Sequence, residues 1–324
     1  MTALLAELGT KRVAALLAIY LIWGSTYLAI RVVIQTMPPF LTSSVRFMVA
    51  GLLFYAWARL RGADRPKALH WRSAAVVGAL LFLGGNGAVV WAEQWLASGM
   101  VAMLIATEPL MVALLLAFWP GETQRPGWKT FVALGIGFAG ALLLAMSGGV
   151  VSEQPAPWMA PWVVLLGTIS WATGSLYGRD APAAKDPVMT TGMQMFSGGV
   201  FLGLLALLRN EPARLDPSGF SLASIAAFFY LMIFGSMIAF GAYSWLLRTT
   251  HPTTISTYAY VNPLIAVFLG WLLMAEPIGG RTVVASALIV SAVVVVLRRR
   301  PEPTPDRPAP PIPEACLDGL DDAS

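Results

Sequence analysis

Apolar residues run along the chain in blocks, each about as long as a membrane-spanning helix and each followed by a short polar segment. A helix that crosses a bilayer needs about 20 predominantly apolar residues. The pattern therefore predicts an all-α integral membrane protein with ten transmembrane helices, packed as a bundle because the connections are short. The blocks cover residues 13–30, 40–58, 74–92, 98–119, 129–147, 160–178, 188–208, 222–246, 253–274 and 281–297.

The composition supports a membrane protein and argues against nucleic-acid binding. Of the 324 residues, 57% are hydrophobic and only 12% are charged, whereas soluble domains carry about 25% charged residues. The net charge of +4 comes from Lys and Arg in short loops, where such residues set the orientation of the spans. The single cysteine, Cys316, permits neither an intrachain disulfide nor a cysteine metal cluster. We expect no metal, no cofactor and no nucleic-acid partner.

The distribution of positive charge predicts how the chain lies in the membrane. Of the 21 Lys and Arg residues, 16 fall on the side of the N-terminus, four fall on the opposite side, and Arg46 lies within a span. Because cytoplasmic loops are enriched in Lys and Arg, both termini are expected in the cytoplasm. Residues 301–324 are rich in proline and acidic residues, which predicts a disordered cytoplasmic tail.

The two halves of the sequence resemble each other. The segment IWGSTYLAIR, which contains Trp23, aligns with SWATGSLYGR, which contains Trp171, at a spacing of 148 residues. Later in each half the spacing becomes 154 residues, and it pairs Pro109 with Pro263. We interpret the chain as a duplication into two five-helix repeats, 13–147 and 160–297.

The odd number of spans in each repeat has a topological consequence, because the second repeat must then enter the membrane in the opposite sense. Inverted repeats of this type are found in many secondary transporters, whose substrate and ion sites lie near the bilayer midplane between the repeats. The predicted mechanism is alternating access, in which the two halves rock about a central site and expose it to one side at a time.

Five motifs stand out along the chain: LIWGSTYLAIR (21–31), SVRFMVAG (44–51), GGNGAVVWAEQ (84–94), TISWATGSLYG (168–178) and TYAYVNPLIAVFLG (257–270). They resemble the EamA-type exporters of the drug/metabolite transporter superfamily, and the resemblance covers nearly all of residues 13–297. It implies a ten-helix carrier in a bacterial-type inner (plasma) membrane that exports small metabolites, amino acids or toxic compounds. Glu108 departs from the family's pattern, in which we expect a small polar or apolar residue before the proline of the fourth span.

Glu108 is the leading candidate for a functional residue. It lies near the middle of the fourth span, where a charge costs at least about 2.5 kcal/mol on insertion scales. Its carboxylate could bind a substrate amine, carry a proton, or tie two helices together by a hydrogen bond. Asn262 precedes Pro263 as Glu108 precedes Pro109, so the two pairs are expected at similar depth. Each proline predicts a helix kink, which serves either packing or the site itself.

Other polar residues within the spans are candidates for binding or coupling. Arg46 could pair with Glu93 or Glu108, bind a substrate carboxylate, or extend to the outer surface. Its counterpart in the second repeat, Gln194, is also long and polar. Asn86 lies among glycines and could hydrogen-bond across a helix contact or to a ligand. Glu93 is expected to be an ordinary charge at the membrane interface.

Aromatic residues within the spans suggest the walls of a binding site. Trp23 and Tyr27 share one helical face, as do Tyr258 and Asn262. Aromatic walls with a few polar groups suit small amphipathic ligands, including cations. The alternative is that these aromatic side chains pack in the core or face lipid.

The class of function follows from these residues and from the inverted repeat. Neither a catalytic pair nor an ATP-binding motif falls within the spans, and His70 and His251 lie in predicted loops, so we do not expect an enzyme. The leading hypothesis is export of amino acids or related amphipathic metabolites. Efflux of cationic drugs is the alternative, and a non-transporting receptor is the alternative from another class. Protons are the candidate coupling ion, and a monomer is compatible with the pattern.

Overall fold

The computed structural model describes residues 9–96, 98–122, 125–145, 157–274 and 279–297. Within these ranges the regular structure is helical throughout, which confirms the all-α prediction. The tail predicted over 301–324 lies outside the described residues, as do short pieces of the two predicted repeats.

Each predicted apolar block overlaps one helix or a consecutive pair of helices. Two single turns of 3-10 helix, Pro212–Arg214 and Pro217–Gly219, lie in the loop before α9. The described helices are α1 (Thr10–Val33), α2 (Pro39–Leu60), α3 (Ala68–Ala92), α4 (Ser98–Ile105), α5 (Glu108–Phe118), α6 (Trp128–Ala145), α7 (Ala160–Asp180), α8 (Pro187–Leu208), α9 (Leu222–Thr249), α10 (Pro252–Ile255), α11 (Tyr258–Met274) and α12 (Gly280–Leu297).

Five of the described helices, α1, α2, α3, α8 and α9, are long and apolar enough to cross a membrane. Their outward faces carry exposed large apolar side chains, such as Leu21, Leu52 and Leu207, as expected of helices that face lipid. Helix starts follow from local chemistry: Pro187 occupies the first turn of α8, where a missing N–H costs nothing, and the Asp186 side chain accepts a hydrogen bond from the Met189 N–H at 3.0 Å.

Two helices, α3 and α9, contain π-helical segments at corresponding positions in the sequence. In α3 the segment is Ala79–Asn86, and in α9 it is Leu231–Ala239. When 154 is added to the residue numbers of the first segment, its two ends fall within two positions of the ends of the second segment. The wider turn of a π-helix shifts the side chains around the helix axis, and such segments are frequent at functional sites.

Two other spans are interrupted rather than continuous. The chain breaks between α4 and α5 at Ala106–Thr107, and between α10 and α11 at Ser256–Thr257. Pro109 is the second residue of α5 and follows the first break directly, whereas Pro263 lies inside α11, six residues beyond the second break. The first break places Glu108 in the first turn of α5, where the helix dipole favours a negative charge.

Helices α2 and α8 cross in close contact because glycines lie at the crossing. A Cβ on Gly51 would come within 2.5 Å of the backbone nitrogen of Phe196, and a Cβ on Gly199 within 2.7 Å of the backbone nitrogen of Met48. The Ser44 hydroxyl donates a hydrogen bond to the Gly199 carbonyl at 2.8 Å. Small residues of this kind allow helix backbones to approach in a membrane.

Candidate functional site

A large cavity, called here the first cavity, lies among the central helices. It contains about 800 Å³ of empty space, part of it open to solvent, which is within the range of small-molecule sites. Its walls are mostly apolar, with a few polar and ionisable groups. The lining residues are Trp23, Thr26, Tyr27, Ile30, Arg46, Phe47, Phe82, Gly85, Asn86, Val89, Ile105, Glu108, Val164, Gly167, Thr168, Trp171, Gly235, Phe240, Tyr258 and Asn262.

The structure brings together most of the residues that the sequence singled out. Gln194 lies instead in a smaller cavity described below. The residues gathered in the first cavity are Glu108, Arg46, Asn262, Tyr258, Asn86, Trp23 and Tyr27. They come from five helices, α1, α2, α3, α5 and α11, so the site exists only in the folded chain.

Arg46 is buried in the wall of the first cavity, with 5% of its surface exposed. Its Nη2 donates a hydrogen bond of 3.4 Å to Oδ1 of Asn86, and its guanidinium lies 4.1 Å from the ring centroid of Phe47. Its Nε has no hydrogen-bond partner, and within the described ranges no carboxylate forms an ion pair with it. The side chain therefore neither extends to the surface nor pairs with Glu93 or Glu108.

Glu108 is the acidic group of the first cavity and is 2% exposed. The Tyr258 hydroxyl faces it, while its Oε2 has no hydrogen-bond partner among the described groups. The first turn of α5 supplies a favourable dipole for this carboxylate. The Oε2 atom therefore remains available to a ligand, because no described cation forms an ion pair with this carboxylate.

Asn262 lies in the same wall and is 1% exposed. Neither atom of its amide group has a hydrogen-bond partner within the described ranges, although the Tyr27 hydroxyl faces it. An unsatisfied buried polar group costs about 1–3 kcal/mol. Such a group at the edge of a cavity is suited to hydrogen-bond with a ligand.

An aromatic cluster, defined here as Trp23, Trp171, Phe240, Tyr243 and Tyr258, closes one end of the first cavity. The ring centroid of Trp23 lies 4.8 Å from Tyr258, 5.0 Å from Tyr243 and 5.7 Å from Trp171. These distances and the tilted or edge-on geometries are favourable for aromatic pairs.

Hydrogen bonds hold the aromatic cluster in place. The indole Nε1 of Trp171 donates to the Tyr243 hydroxyl at 3.1 Å, and that hydroxyl also lies 2.5 Å from the Ser175 hydroxyl. The indole of Trp23 donates to the Gly235 carbonyl in the π-helical segment of α9 at 3.2 Å. Tyr243 and Ser175 carry no charge and belong to no recognisable motif, so the sequence alone does not predict their part in this cluster.

A second cavity lies on the other side of the aromatic cluster. It contains about 350 Å³ of empty space and is more polar. On α7 the residues up to Trp171 line the first cavity, whereas Gly174 and Gly178 line the second. Phe240 lines both cavities and therefore separates them. The polar residues of the second cavity are Thr190, Thr191, Gln194, Ser244 and Arg248.

Glu93 is buried in the structure, whereas the sequence predicts an ordinary charge at the membrane interface. It follows the last residue of α3 and is only 1% exposed, and neither of its carboxylate oxygens has a hydrogen-bond partner within the described ranges. The Arg31 guanidinium donates to the backbone carbonyls of Glu93 and Leu96 at 3.2 and 3.3 Å. Glu93 and Glu108 are thus both buried with at least one carboxylate oxygen unpartnered among the described groups, and the sequence singles out only Glu108.

A bundle of apolar helices around a buried cavity with ionisable walls is the arrangement of a multi-pass membrane transporter. The model of the EamA-like transporter family matches residues 10–146 and again residues 158–298. The chain belongs to this family, which confirms the resemblance found in its motifs.

Individual relatives are also transporters by name. The inner membrane transporter YedA of Escherichia coli (strain K12) is 39% identical over 283 residues, which cover 87% of this chain and 89% of that protein. A probable terminal-alkyne amino-acid exporter of Streptantibioticus cattleyicolor is 26% identical over 294 residues, covering 90% and 94%. A solved protein structure superposes with a TM-score of 0.67 at 20% identity, covering 88% of this chain and 96% of that one. That similarity concerns the fold alone.

Proposed function

We propose that the protein is an inner-membrane secondary transporter that exports amino acids or related amphipathic metabolites. The observation that carries the proposal is that Arg46 and Glu108 line the same cavity and that neither forms an ion pair among the described residues. A zwitterionic amino acid offers a carboxylate to the first and an ammonium group to the second. The relatives named as an inner membrane transporter and as an amino-acid exporter support this class of substrate.

The energetics of burial favour such a ligand. A charge that is buried without a partner is costly, and a partner that returns hydrogen bonds offsets most of that cost. A guanidinium is the side chain that best matches the planar geometry of a carboxylate. The amides of Asn86 and Asn262 can complete the contacts, while Trp23 and Tyr258 provide an apolar surface for the substrate's side chain.

The proposed architecture is ten transmembrane helices in two inverted five-helix repeats, 13–147 and 160–297. The two separate matches of the family model support it. So does the reciprocity of the α2–α8 crossing, in which Gly51 meets Phe196 and Gly199 meets Met48. Residues 148 apart exchange these two contacts, as expected for repeats related by a two-fold axis.

The proposed mechanism is alternating access between the two cavities. Gln194 occupies in the second cavity the position that Arg46 occupies in the first, since the two are 148 residues apart. Gly174 corresponds to Thr26 in the same way, and Phe240 corresponds to Asn86 at a spacing of 154. With both termini in the cytoplasm, as the charge distribution predicts, the first cavity lies toward the outer face and the second toward the cytoplasm.

Efflux of cationic compounds is the second candidate function. It is favoured by the unpartnered Oε2 of Glu108 beside the aromatic rings of Trp23 and Tyr258, which suit a cation. Efflux of cations does not explain why Arg46 lines the cavity, because its guanidinium repels a cationic substrate. A non-transporting receptor is the alternative from another class, and it predicts ligand binding without flux.

Counterflow in proteoliposomes tests the proposal, with the purified chain as the sole protein. Vesicles are loaded with unlabelled leucine, methionine, phenylalanine or threonine, and uptake of the same labelled compound is followed. We expect rapid exchange of at least one of these zwitterions and none of sugars. Exchange of cationic dyes alone would favour drug efflux, and binding without any exchange would favour a receptor. One chain contains the whole cavity, so we propose that the monomer is the functional unit.

A further inference from the structure

A third cavity lies beside the first, between the C-terminal end of α1 and the N-terminal end of α2. It contains about 240 Å³ of empty space, part of it open to solvent. Ile30 and Arg46 line both cavities, so these two side chains lie between them. The walls of the third cavity are mostly apolar side chains of α1, α3 and α9, and its polar residues are Thr42, Ser43 and Arg46 of α2.

The three polar residues of the third cavity share one face of α2. Thr42 and Ser43 precede Arg46 by four and three residues, which makes them its neighbours on a helix. Ser43 and Arg46 are each only 5% exposed. Within the described ranges no side-chain hydrogen bond involves Thr42 or Ser43. Both hydroxyls can therefore donate to a ligand in this cavity.

Arg46 needs an opposite charge that the described part of the chain does not supply. Its Nη2 bonds to the neutral amide of Asn86, its Nε has no partner, and it forms no ion pair. Glu211 is the acidic residue at the N-terminal end of α2, but its carboxylate accepts hydrogen bonds from the N–H groups of Phe40 and Leu41 at 3.2 and 2.7 Å. A buried charge without a partner is costly, so a bound anion would stabilise this region.

The third cavity suits a small anion better than it suits an amino acid. None of the described residues that line it is acidic, so it offers no charge to the ammonium group of a zwitterion. A guanidinium and two hydroxyls are hydrogen-bond donors that match a single negative charge. The apolar walls strengthen the attraction, because water screens it less there.

We propose that the third cavity binds a small inorganic anion such as chloride, held by Arg46 with the hydroxyls of Thr42 and Ser43, and that this anion competes with the substrate carboxylate for Arg46. One guanidinium neutralises one negative charge, so an anion in the third cavity disfavours a carboxylate in the first. The anion neutralises Arg46 between transport events. Binding of the anion does not depend on transport, whereas the competition rests on the proposed transport function.

The corresponding place on α8 keeps the hydroxyls but lacks the charge. The three polar residues have counterparts 148 positions later, which line the second cavity: Thr190, Thr191 and Gln194. The Thr191 hydroxyl donates its proton to the Pro187 carbonyl at 2.9 Å, so it has none to offer an anion. Arg248, a cation that lines this cavity, is exposed to solvent. Thr191 is therefore a matched control for Ser43.

Thermal unfolding of the purified full chain in detergent tests the site in the absence of substrate. Sodium chloride replaces sodium isethionate, a larger anion, at constant ionic strength. A ligand that binds only the folded protein raises the Tm as its concentration increases. We expect chloride and bromide to raise the Tm of the unaltered chain and to have no such effect on Arg46→Gln. Ser43→Ala should need about tenfold more chloride or more for the same rise, because it loses a hydrogen bond to a charged ligand.

Two control variants accompany this measurement. Thr191→Ala removes the corresponding hydroxyl of α8, and Arg65→Gln removes an arginine from an exposed loop position. Both should keep the full response of the Tm to chloride. Ser43→Ala keeps the test decisive if Arg46→Gln does not fold, because it leaves the buried charge in place.

Counterflow in proteoliposomes tests the competition. The two substrates are leucine and isopentylamine, which is leucine without its carboxylate group. We expect chloride to raise the KM for leucine about fivefold or more relative to isethionate, and to leave the KM for isopentylamine unchanged. In Arg46→Gln the effect of chloride on leucine should disappear.

The outcomes separate the anion site from the transport function. No rise of the Tm with chloride overturns the site, and so does a rise that persists in Arg46→Gln or is lost in Thr191→Ala. A rise of the Tm without any effect of chloride on the KM for leucine supports the site and overturns the competition. Absence of counterflow in the unaltered chain overturns the transport function, while the response of the Tm still decides whether the anion binds.

Discussion

Trp23 packs edge-on against Trp171, its counterpart 148 residues later, with their ring centroids 5.7 Å apart. Two residues at corresponding positions of a repeat can meet only close to the axis that relates the repeats. Both indoles line the first cavity, and the second cavity begins one helical turn beyond Trp171 on α7. We infer that the Trp23–Trp171 contact marks the partition that opens and closes during transport.

Cysteine labelling tests this partition, because the chain contains a single native cysteine. Replacing Cys316 by Ser provides a background without thiols, into which Thr26→Cys reports on the first cavity and Ser244→Cys on the second. A change between outward and inward states must alter the two cavities in opposite directions. We expect added substrate to raise the labelling rate of one reporter and lower that of the other, measured with a membrane-permeant thiol reagent.

The control for labelling is a cysteine at Asp64, which is exposed on a loop and should react at the same rate with and without substrate. A parallel change of both reporters would contradict alternating access. It would indicate instead that the ligand tightens or loosens the whole bundle.

The helices of this protein follow from the sequence because length and hydropathy decide whether a segment can cross lipid. The breaks at Ala106–Thr107 and Ser256–Thr257, and the π-helical segments in α3 and α9, could not be predicted in the same way. They depend on tertiary contacts, such as the Trp23 indole bonded to the Gly235 carbonyl. The two prolines predict kinks in their helices. Pro263, however, lies inside α11, six residues beyond the break at Ser256–Thr257.

The site was partly predictable for a related reason. Ionisable residues inside an apolar span stand out, so Arg46 and Glu108 were identified from the sequence alone. Glu93 lies at the end of a predicted span, where charges are ordinary, and only the folded chain shows that it is buried, with Arg31 of α1 bonded to its backbone carbonyl. Tyr243 and Ser175 have no sequence signal, since their role arises from a contact between α7 and α9.

Replacing Arg46 by Gln tests whether it recognises a carboxylate. The variant should bind an amino acid more weakly, because loss of one charged hydrogen bond costs about 1.5–3 kcal/mol, or about tenfold or more in affinity. It should transport the amine with the same side chain but no carboxylate as well as before, or better. The measurement is the ratio of KM values for leucine and isopentylamine in counterflow.

The matched control for Arg46 is Arg65→Gln, which removes an arginine from an exposed loop position. It should leave the ratio of the two KM values unchanged. Arg46→Lys keeps the charge but not the planar fork, and it should give an intermediate ratio. If Arg46→Gln weakens both substrates equally, Arg46 has a structural role and the zwitterion hypothesis fails.

Glu108→Gln removes the acidic group of the first cavity but preserves the size of the side chain and its contact with Tyr258. If the carboxylate binds the substrate amine, KM for leucine should rise about tenfold or more. The variant should also lose any dependence of counterflow on pH, because the titrating group is gone. The rate is measured from acid to alkaline pH beside Asp64→Asn, and a KM and pH profile equal to those of the control would exclude both roles.

The reciprocal glycines provide a test of the repeat symmetry through stability. Alanine at Gly51 places a methyl group 2.5 Å from a backbone atom of Phe196, and alanine at Gly199 places one 2.7 Å from a backbone atom of Met48. Overpacking costs about 1–3 kcal/mol, which exceeds the gain of about 0.5–1 kcal/mol from replacing a helical glycine. Both variants should therefore lower the Tm of the purified protein in detergent, and by similar amounts because the two contacts are equivalent.

Gly241→Ala is the control, since a Cβ there would have its nearest neighbour at 3.6 Å, and it should not lower the Tm. A fall for only one of the two crossing glycines would show that the crossing is not symmetric in energy, and the proposed two-fold relation between α2 and α8 would lose its support.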